Sequence, residues 1–457
     1  MFTTINPATG KKLKDYKIMS SKEALEIAKN SDDAFRKWRK LTIDERLVYL
    51  KTLTKVLREN KQEYAEIMTN EMGKIITESL AEVEKCAWLI EDLIENSSEW
   101  LKEESIKANG KEHIITFEPL GAIYIIMPWN YAFWQVFKVA MGPIVAGNTI
   151  LLKHSANVTG SALIIEKAFE KANFPKNILR TLIINHDTSQ ELIESDFVKA
   201  VSITGSVRAG RTVGSQAGNK IKKSVLELGG SDPFIILKDA NIDSAVKGAI
   251  SGRLGNCGQV CIGAKRFIVH EDVLEEFSKK ITEAVKLRKI GDPLDTSTQI
   301  GPMVNDKAVE DMLKFIDDAI KKGAVLQTGG KKLERQGSYF EPAVLTDVTQ
   351  DMKVFNEEAF GPIIPIISFS TEDEAIEIAN NSEFGLNSSI WSEDILRAIK
   401  LARRLETGGV FVNNFSSSHP SLPLGGIKNS GYGKELSKFA IKEFTNIKPI
   451  NVYETKK

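Results

Sequence analysis

Two side chains in this sequence combine reactivity with a setting that would expose it. Cys261 lies in Asn256-Cys257-Gly258-Gln259-Val260-Cys261-Ile262-Gly263-Ala264-Lys265-Arg266, a glycine-bracketed loop that runs into a β-rich segment. A thiol on such a turn can be reached by a substrate. A nearby cation or helix N-terminus would lower its pKa from the free value of ~8.5 towards the range in which the thiolate attacks carbonyl carbon. From the loop alone, a buried cysteine acting as a small hydrophobe is an equal alternative, and Cys257 is a second candidate nucleophile. Glu227 stands between an apolar run and Gly229-Gly230. Burial there would raise its pKa and make it a general base near neutral pH, although an exposed strand-end glutamate is the commoner situation. The segment Thr204-Gly205-Ser206-Val207-Arg208-Ala209-Gly210 leaves a β-rich run and opens a helical one, the arrangement in which free backbone N–H groups hold phosphate. It is not the dinucleotide GxGxxG, and an ordinary strand-to-helix turn reads the same.

The elements that must position these residues follow from periodicity. After the turn-rich Asn6-Pro7-Ala8-Thr9-Gly10, the segments Ser21 to Arg36, Ile43 to Asn60, Lys61 to Met72 and Ile75 to Leu101 place apolar residues at helical spacing. Short β-rich runs then alternate with helical patterns: Ala122 to Met127, a helix to Ala146, Thr149 to Lys153, a helix from Gly160 to Ala172, Leu182 to Ile184, and Ala200 to Thr204. Such alternation predicts βαβ units on a parallel sheet, with ligands at the carboxyl ends of its strands. The pattern restarts after Glu227-Leu228-Gly229-Gly230 with Pro233 to Leu237, a helix from Ile242, Arg266 to Val269 and a helix from Val273 to Leu287, predicting a second α/β domain. Asn109-Gly110, within Lys107 to Phe117, is a hairpin signal. A Gly/Pro/Ser-rich tail, Ser416 to Gly433, precedes a last helix and the strand-like Ile447 to Val452.

Composition narrows the class. The chain has 457 residues, 42% hydrophobic and 27% charged, which excludes a disordered or fibrous protein. Its 61 basic and 61 acidic residues cancel, so no polyanion-binding excess exists and nucleic acid is not an expected partner. Three cysteines, Cys86, Cys257 and Cys261, make neither a disulfide framework nor a CxxC metal pair. No metal site is expected. The polar N-terminus and the absence of a ~20-residue apolar stretch point to a cytoplasmic protein with no membrane partner.

Six segments, taken in order, resemble the aldehyde dehydrogenase superfamily: Pro128-Trp129-Asn130, Thr204-Gly205-Ser206, Glu227-Leu228-Gly229-Gly230, Gly258-Gln259-Val260-Cys261, Glu358-Ala359-Phe360-Gly361-Pro362 and Gly425-Gly426-Ile427-Lys428-Asn429-Ser430-Gly431. The likeness spans essentially the whole chain. It implies an α/β fold with a Rossmann-type cofactor domain (1–106 and 118–226), a second α/β catalytic domain (227–420), and a small β oligomerisation element (107–117 and 441–457) whose parts pair across a subunit boundary in a homodimer or homotetramer. It makes Cys261 the nucleophile, Asn130 an oxyanion donor and Glu227 the base for hydrolysis of a thioester. It also implies a nicotinamide cofactor, held by Lys153 at the adenosine ribose, Gly205 and Ser206 at phosphate, and Glu358 with Phe360 at the nicotinamide ribose, with Trp129, Ser155 and Ala156 alongside.

Two departures bear on specificity. Strict NAD enzymes of the family read Lys-Pro-Ser-Glu where this chain has Lys153-His154-Ser155-Ala156, so NADP as well as NAD is expected to bind, with His154 and Lys153 favouring the phosphate. The chain looks most like compact bacterial and archaeal succinate-semialdehyde dehydrogenases, which makes a small aldehyde the expected substrate. Yet the usual Ser-Asp-Pro-Arg is Ser418-His419-Pro420-Ser421 here, and Leu424 replaces a phenylalanine. Lys138, Arg253, Ser417 and His419 are the candidate substitutes for the missing arginine, although each such residue is more commonly an ordinary packing or surface residue. A CoA-acylating enzyme and a non-catalytic structural member are the alternatives, disfavoured by Glu227 and by the joint presence of Cys261, Glu227, Asn130 and Lys153.

Overall fold

The computed structural model describes residues 1–454. The four N-terminal helices form as their periodicity predicts, at Ser21–Trp38, Ile43–Glu59, Lys61–Met72 and Ile76–Trp100. Two begin with capping boxes: the Ser20 hydroxyl accepts from Glu23 N while Glu23 accepts from Ser20 N at 2.7 Å, and Thr42 and Glu45 repeat the exchange. Each such cap stabilises a helix start by about 1 kcal/mol. The buried stripes of the last three helices lie in the core on one face of a six-stranded sheet, while Ala24 and Ala28 of the first pack on the opposite face.

That sheet runs, in spatial order, Gly431–Tyr432, Lys223–Glu227, Val198–Thr204, Ala122–Met127, Thr149–His154 and Leu179–Thr181. All neighbours are parallel except the first pair. Helices cover both faces, so the strands are near-continuous apolar runs; Ala122–Met127 is buried at every position but Ile126. Chain order reverses between Ala122–Met127 and Val198–Thr204, and there the carboxyl ends part to leave a crevice. One expectation fails. The strand beside Thr149–His154 is Leu179–Thr181, not Leu182 to Ile184, because the ladder pairs Ile150–Leu152 with Leu179–Thr181. Leu182 and Ile184 are buried as irregular chain, apolar through packing rather than through sheet membership.

The second α/β unit has seven strands ordered Val325–Thr328, Ala343–Thr346, Ile363–Phe369, Ala264–His270, Asp232–Ile236, Asn387–Trp391 and Gly409–Val412, parallel except for the first pair. The Gly/Pro/Ser-rich tail carries two short strands, Ile427–Lys428 and Gly431–Tyr432, the latter returning to the six-stranded sheet. The hairpin expected around Asn109-Gly110 is reduced to Glu104–Ser105 against Glu112–Pro119. Glu112–Pro119 instead takes Thr445–Val452 of the same chain along its whole length. Within the chain these two elements thus satisfy each other's backbone, and the outer edge of Thr445–Val452 stays open. Residues 455–457 of the expected assembly segment lie outside the described residues. No helix among the described residues is long and apolar enough to cross a membrane.

Candidate active site

The Cys261 loop begins where the helix Ile242–Leu254 breaks into left-handed backbone, with φ of 49° at Asn256, 54° at Cys257 and 72° at Gly258. A Cβ at Gly258 would strike the Gly361 carbonyl, so only glycine lets the Glu358–Pro362 segment lie against the loop. Side-chain amides hold the turn. Asn256 Nδ2 donates to Asn130 O (2.8 Å), Gln259 Nε2 donates to Asn256 O (3.0 Å), and Gln259 Oε1 accepts from Val304 N (2.9 Å). Lys265 Nζ donates to the carbonyls of Val260 (2.8 Å) and Cys261 (2.5 Å) and pairs with Glu358 at 3.3 Å. The sequence reading assigned Lys265 no role, since nothing in its local pattern signals one.

The two thiols differ in setting. Cys257 is 4% exposed and its sulfur lies 3.6 Å from Met303 Sδ, whereas Cys261 keeps partial exposure. Burial pushes the Cys257 thiol up to about 12. Cys261 rises to about 11: burial lifts it, Lys138 and Lys265 pull it down, and Glu358 and Glu227 lift it further. At neutral pH the resting Cys261 is a thiol, and these two lysines are the groups that favour its thiolate.

Glu227 ends the strand Lys223–Glu227 and is 3% exposed, not a surface strand end. Burial is the main cause of its raised pKa, with Glu435 adding to it and Lys138 and Lys434 opposing. Its Oε1 is buried without a hydrogen-bond partner, the state of a carboxyl able to take a proton from something small beside it. Behind it the Lys138 ammonium pairs with Glu435, both side chains 2% exposed. Burial works against the Lys138 charge, but Glu435, Glu227 and Cys261 outweigh it and hold its pKa above the usual value. Glu435 escaped the sequence reading, and Lys138 was placed among groups awaiting a substrate carboxylate. The structure corrects that assignment, because Lys138 already holds one.

Asn130 follows the Ala122–Met127 strand at the crevice, 3% exposed. Its Nδ2 donates to Gln259 O at 3.0 Å, leaving a second amide hydrogen. A cavity of about 290 Å³ brings together Trp129, Asn130, Gly205, Ser206, Cys261, Glu358 and Phe360. Ser206 caps the helix Val207–Asn219, accepting from Ala209 N at 3.3 Å, and Trp129 meets the Phe360 ring edge-on at 5.8 Å. A Cβ on Gly229 would press on the Glu358 carboxylate, which keeps the cavity wall bare. Glu227 lies behind this wall. Lys153, Ser155 and Ala156 stand at the end of the adjacent strand, partly exposed, with Ser155 N donating to Met127 O at 3.0 Å. His154 does not join them. Its ring is buried between Ala132 O (2.8 Å) and Ser155 N (3.0 Å), and burial lowers its pKa to about 4, so it offers a phosphate no positive charge.

A second cavity of about 300 Å³ opens on the other side of Cys261, which lines both. Its wall includes Lys85, Trp134, Lys138, Phe415 and Ser416 to Ser418. Arg253 is removed from the substrate candidates: it is 1% exposed and donates to the carbonyls of Ile363 (2.6 Å) and Ala359 (2.8 Å). His419 stacks edge-on against Trp88 at 4.7 Å, while Ser417 remains on the cavity wall. No group of three or more His, Cys, Asp or Glu among the described residues could hold a metal ion.

The doubly wound sheet thus opens its crevice onto a partly exposed cysteine that a second, separate cavity also reaches, with a buried carboxyl behind the wall. The model of the aldehyde dehydrogenase family matches residues 1–450, and the chain belongs to that family. It is 41% identical over 447 residues to the succinate semialdehyde dehydrogenase [NAD(P)+] Sad of Escherichia coli, covering 98% of this chain and 97% of that one. It is 39% identical to the NADP(+) succinate-semialdehyde dehydrogenase of Deinococcus radiodurans, covering 100% and 95%. Among solved structures, the succinic semialdehyde dehydrogenase of Streptococcus pyogenes in complex with NADP+ superposes with a TM-score of 0.97 at 34% identity, covering 99% of this chain and all of that one.

Proposed function

We propose that this protein oxidises succinate semialdehyde to succinate with NAD or NADP. The observation that carries the reading is Cys261 at the junction of two cavities, one running to the sheet crevice and one lined for a small molecule. The Cys261 thiol releases its proton to solvent, Lys138 and Lys265 favouring the thiolate, and the sulfur attacks the aldehyde carbonyl carbon; the C–S bond forms as the C=O π pair moves onto oxygen, and the resulting oxyanion is held by the Asn130 amide and the Cys261 N–H, donors worth about 3 kcal/mol each. NAD or NADP supplies, when bound, the acceptor for the hydride that leaves this carbon. Glu227 then takes a proton from water as its oxygen attacks the thioester, and the carboxylate leaves as Cys261 recovers its proton. The crevice suits such a cofactor: a 13-residue helix presents its N-terminus at Ser206, the wall at Gly229 is bare, and Lys153 stands partly exposed alongside. In this reading 1–106 and 118–226 hold the cofactor, 227–420 supplies the nucleophile, and 107–117 with 441–457 serves assembly. Its three unpaired cysteines suit the cytoplasm. A panel of aldehydes crossed with NAD and NADP, followed by absorbance of the reduced nicotinamide, tests the reading. It fails if no aldehyde reduces either cofactor or if succinate semialdehyde ranks below neutral aldehydes of its length.

Cofactor choice rests on one position. Ala156 opens the short turn Ala156–Val158 and is partly exposed. A glutamate there would accept from the ribose hydroxyls of NAD but repel the 2′-phosphate of NADP, a contact costing several kcal/mol when desolvated. The wild type is expected to use NADP, and Ala156→Glu to shift the ratio of kcat/KM values towards NAD by about tenfold or more. A wild type inert with NADP on its best aldehyde would show that another group excludes the phosphate.

Assembly rests on open edges. Thr445–Val452 is an edge strand with Ile447 58% and Ile450 43% exposed, and Gly409–Val412 is one of the two edges of the seven-stranded sheet. Such edges are normally covered. A dimer or dimer of dimers is expected by light scattering at micromolar concentration, with Ile447→Lys/Ile450→Lys shifting the mass towards the monomer. A fully active wild-type monomer would refute it.

A further inference from the structure

The second cavity contains a cation with no carboxylate of its own. Lys85, on the Ile76–Trp100 helix, sends its ammonium over the Trp134 ring at 4.5 Å and donates to Ser418 Oγ at 2.7 Å. The acids around it are engaged elsewhere. Glu82 pairs with Lys74 and accepts from Phe133 N (2.8 Å) and Trp134 N (2.9 Å); Glu435 pairs with Lys138; Glu78, on the same wall, gives both oxygens to Asn256 N at 3.0 and 3.2 Å. Burial lowers the Lys85 pKa to about 8, with Cys86 and Glu82 raising it and Lys138 and Lys74 lowering it further. An ammonium enclosed in this way loses hydration without gaining an ion pair, and an incoming anion would restore what burial removed.

The rest of the wall completes the match. Trp134, Ile262, Phe415 and Leu424 give an apolar lining suited to methylenes, and Cys261 lies on the same cavity. Two of the three ammonium hydrogens stay free beyond Ser418, whose hydroxyl can turn to donate to the same ligand. We propose that Lys85, supported by Ser418, receives the distal carboxylate of a short ω-carboxy aldehyde whose carbonyl lies at Cys261. Ser418 belongs to the segment in which this chain departs from the arginine-bearing pattern, so the positive charge reaches the cavity from a helix more than three hundred residues earlier. The inference rests on the proposed reading of Cys261 as nucleophile and of an acidic aldehyde as substrate.

The test compares succinate semialdehyde with butanal, of the same carbon chain but without the carboxylate, in the full-length protein and its Lys85→Gln, Lys85→Arg and Ser418→Ala variants. Lys85→Gln is expected to lower kcat/KM for the semialdehyde about 100-fold, mostly through KM, and to leave butanal within about threefold. Lys85→Arg should recover most of the loss, and Ser418→Ala should cost about five- to tenfold on the semialdehyde alone. Equal losses on both aldehydes in Lys85→Gln, or an unchanged semialdehyde KM, would overturn the assignment. If Lys85→Gln does not fold, Ser418→Ala decides: a loss confined to the semialdehyde supports the site, and none refutes it. A wild type without preference for the semialdehyde over butanal refutes the substrate reading itself. A preference that survives in Lys85→Gln refutes only the role of Lys85.

Discussion

Cys261→Ala is expected to lower turnover by about 10⁴-fold or more while leaving NADP binding within about twofold of wild type. The carbon–sulfur bond is the only step that needs sulfur, and the crevice residues Ser206, Lys153 and Phe360 do not depend on the thiol. Cys257→Ala is the control. Its sulfur lies against Met303 inside the core, so a substrate has no access to it. That variant should keep near-normal kcat and lose about 1 kcal/mol of stability to a small cavity. Steady-state rates together with cofactor titration by fluorescence separate the two; an inactive Cys257→Ala beside an active Cys261→Ala would reverse the assignment of the nucleophile.

Glu227→Gln is expected to cut steady-state turnover by about 10³-fold and still release close to one equivalent of reduced cofactor per site in the first turnover. Acylation needs the sulfur and the oxyanion donors, whereas hydrolysis needs a base for water, and Glu227 is a buried carboxyl with an unpaired oxygen whose charge is felt at Cys261. Glutamine keeps the volume but removes the basicity. Rapid mixing with a saturating aldehyde reads both phases. If the burst vanishes with the turnover, Glu227 also draws the proton from Cys261, consistent with the thiol's resting pKa of about 11, and one carboxyl then serves both steps.

Much of the frame was legible from local pattern. The capping boxes at Ser20 and Thr42 start their helices where the sequence says they do, because a cap and a helical stripe are satisfied within a few residues. The apolar runs Ala122 to Met127 and Ala200 to Thr204 read as parallel strands because both faces of such a sheet are covered, and they form within Ala122–Met127 and Val198–Thr204. Leu182 to Ile184 shows the limit of that signal, since packing rewards apolar residues in irregular chain as much as in a strand.

By itself the sequence determined the alternating α/β architecture, the glycine-bracketed turn that carries Cys261, and the family whose motifs Glu227, Asn130 and Cys261 match. Local pattern left the two cysteines equal on their loop and Glu227 undecided between surface and interior, and only the family resemblance favoured Cys261 as nucleophile and Glu227 as base. Tertiary structure separated their settings, by seating Cys257 on Met303, leaving Cys261 partly exposed, and closing Glu227 behind the cavity wall near the Lys138–Glu435 pair. It also withdrew His154 from the phosphate and Arg253 and Lys138 from the substrate, and it set Lys85 against Ser418, 333 positions away in the chain. The physical reason is common to all of these. Caps, turns and periodic stripes are interactions between near neighbours and leave a spacing that can be read. The desolvation of a carboxyl, or the choice of partner for an ammonium, depends on groups brought together only when separate elements pack, and a contact of that kind leaves no period in the sequence.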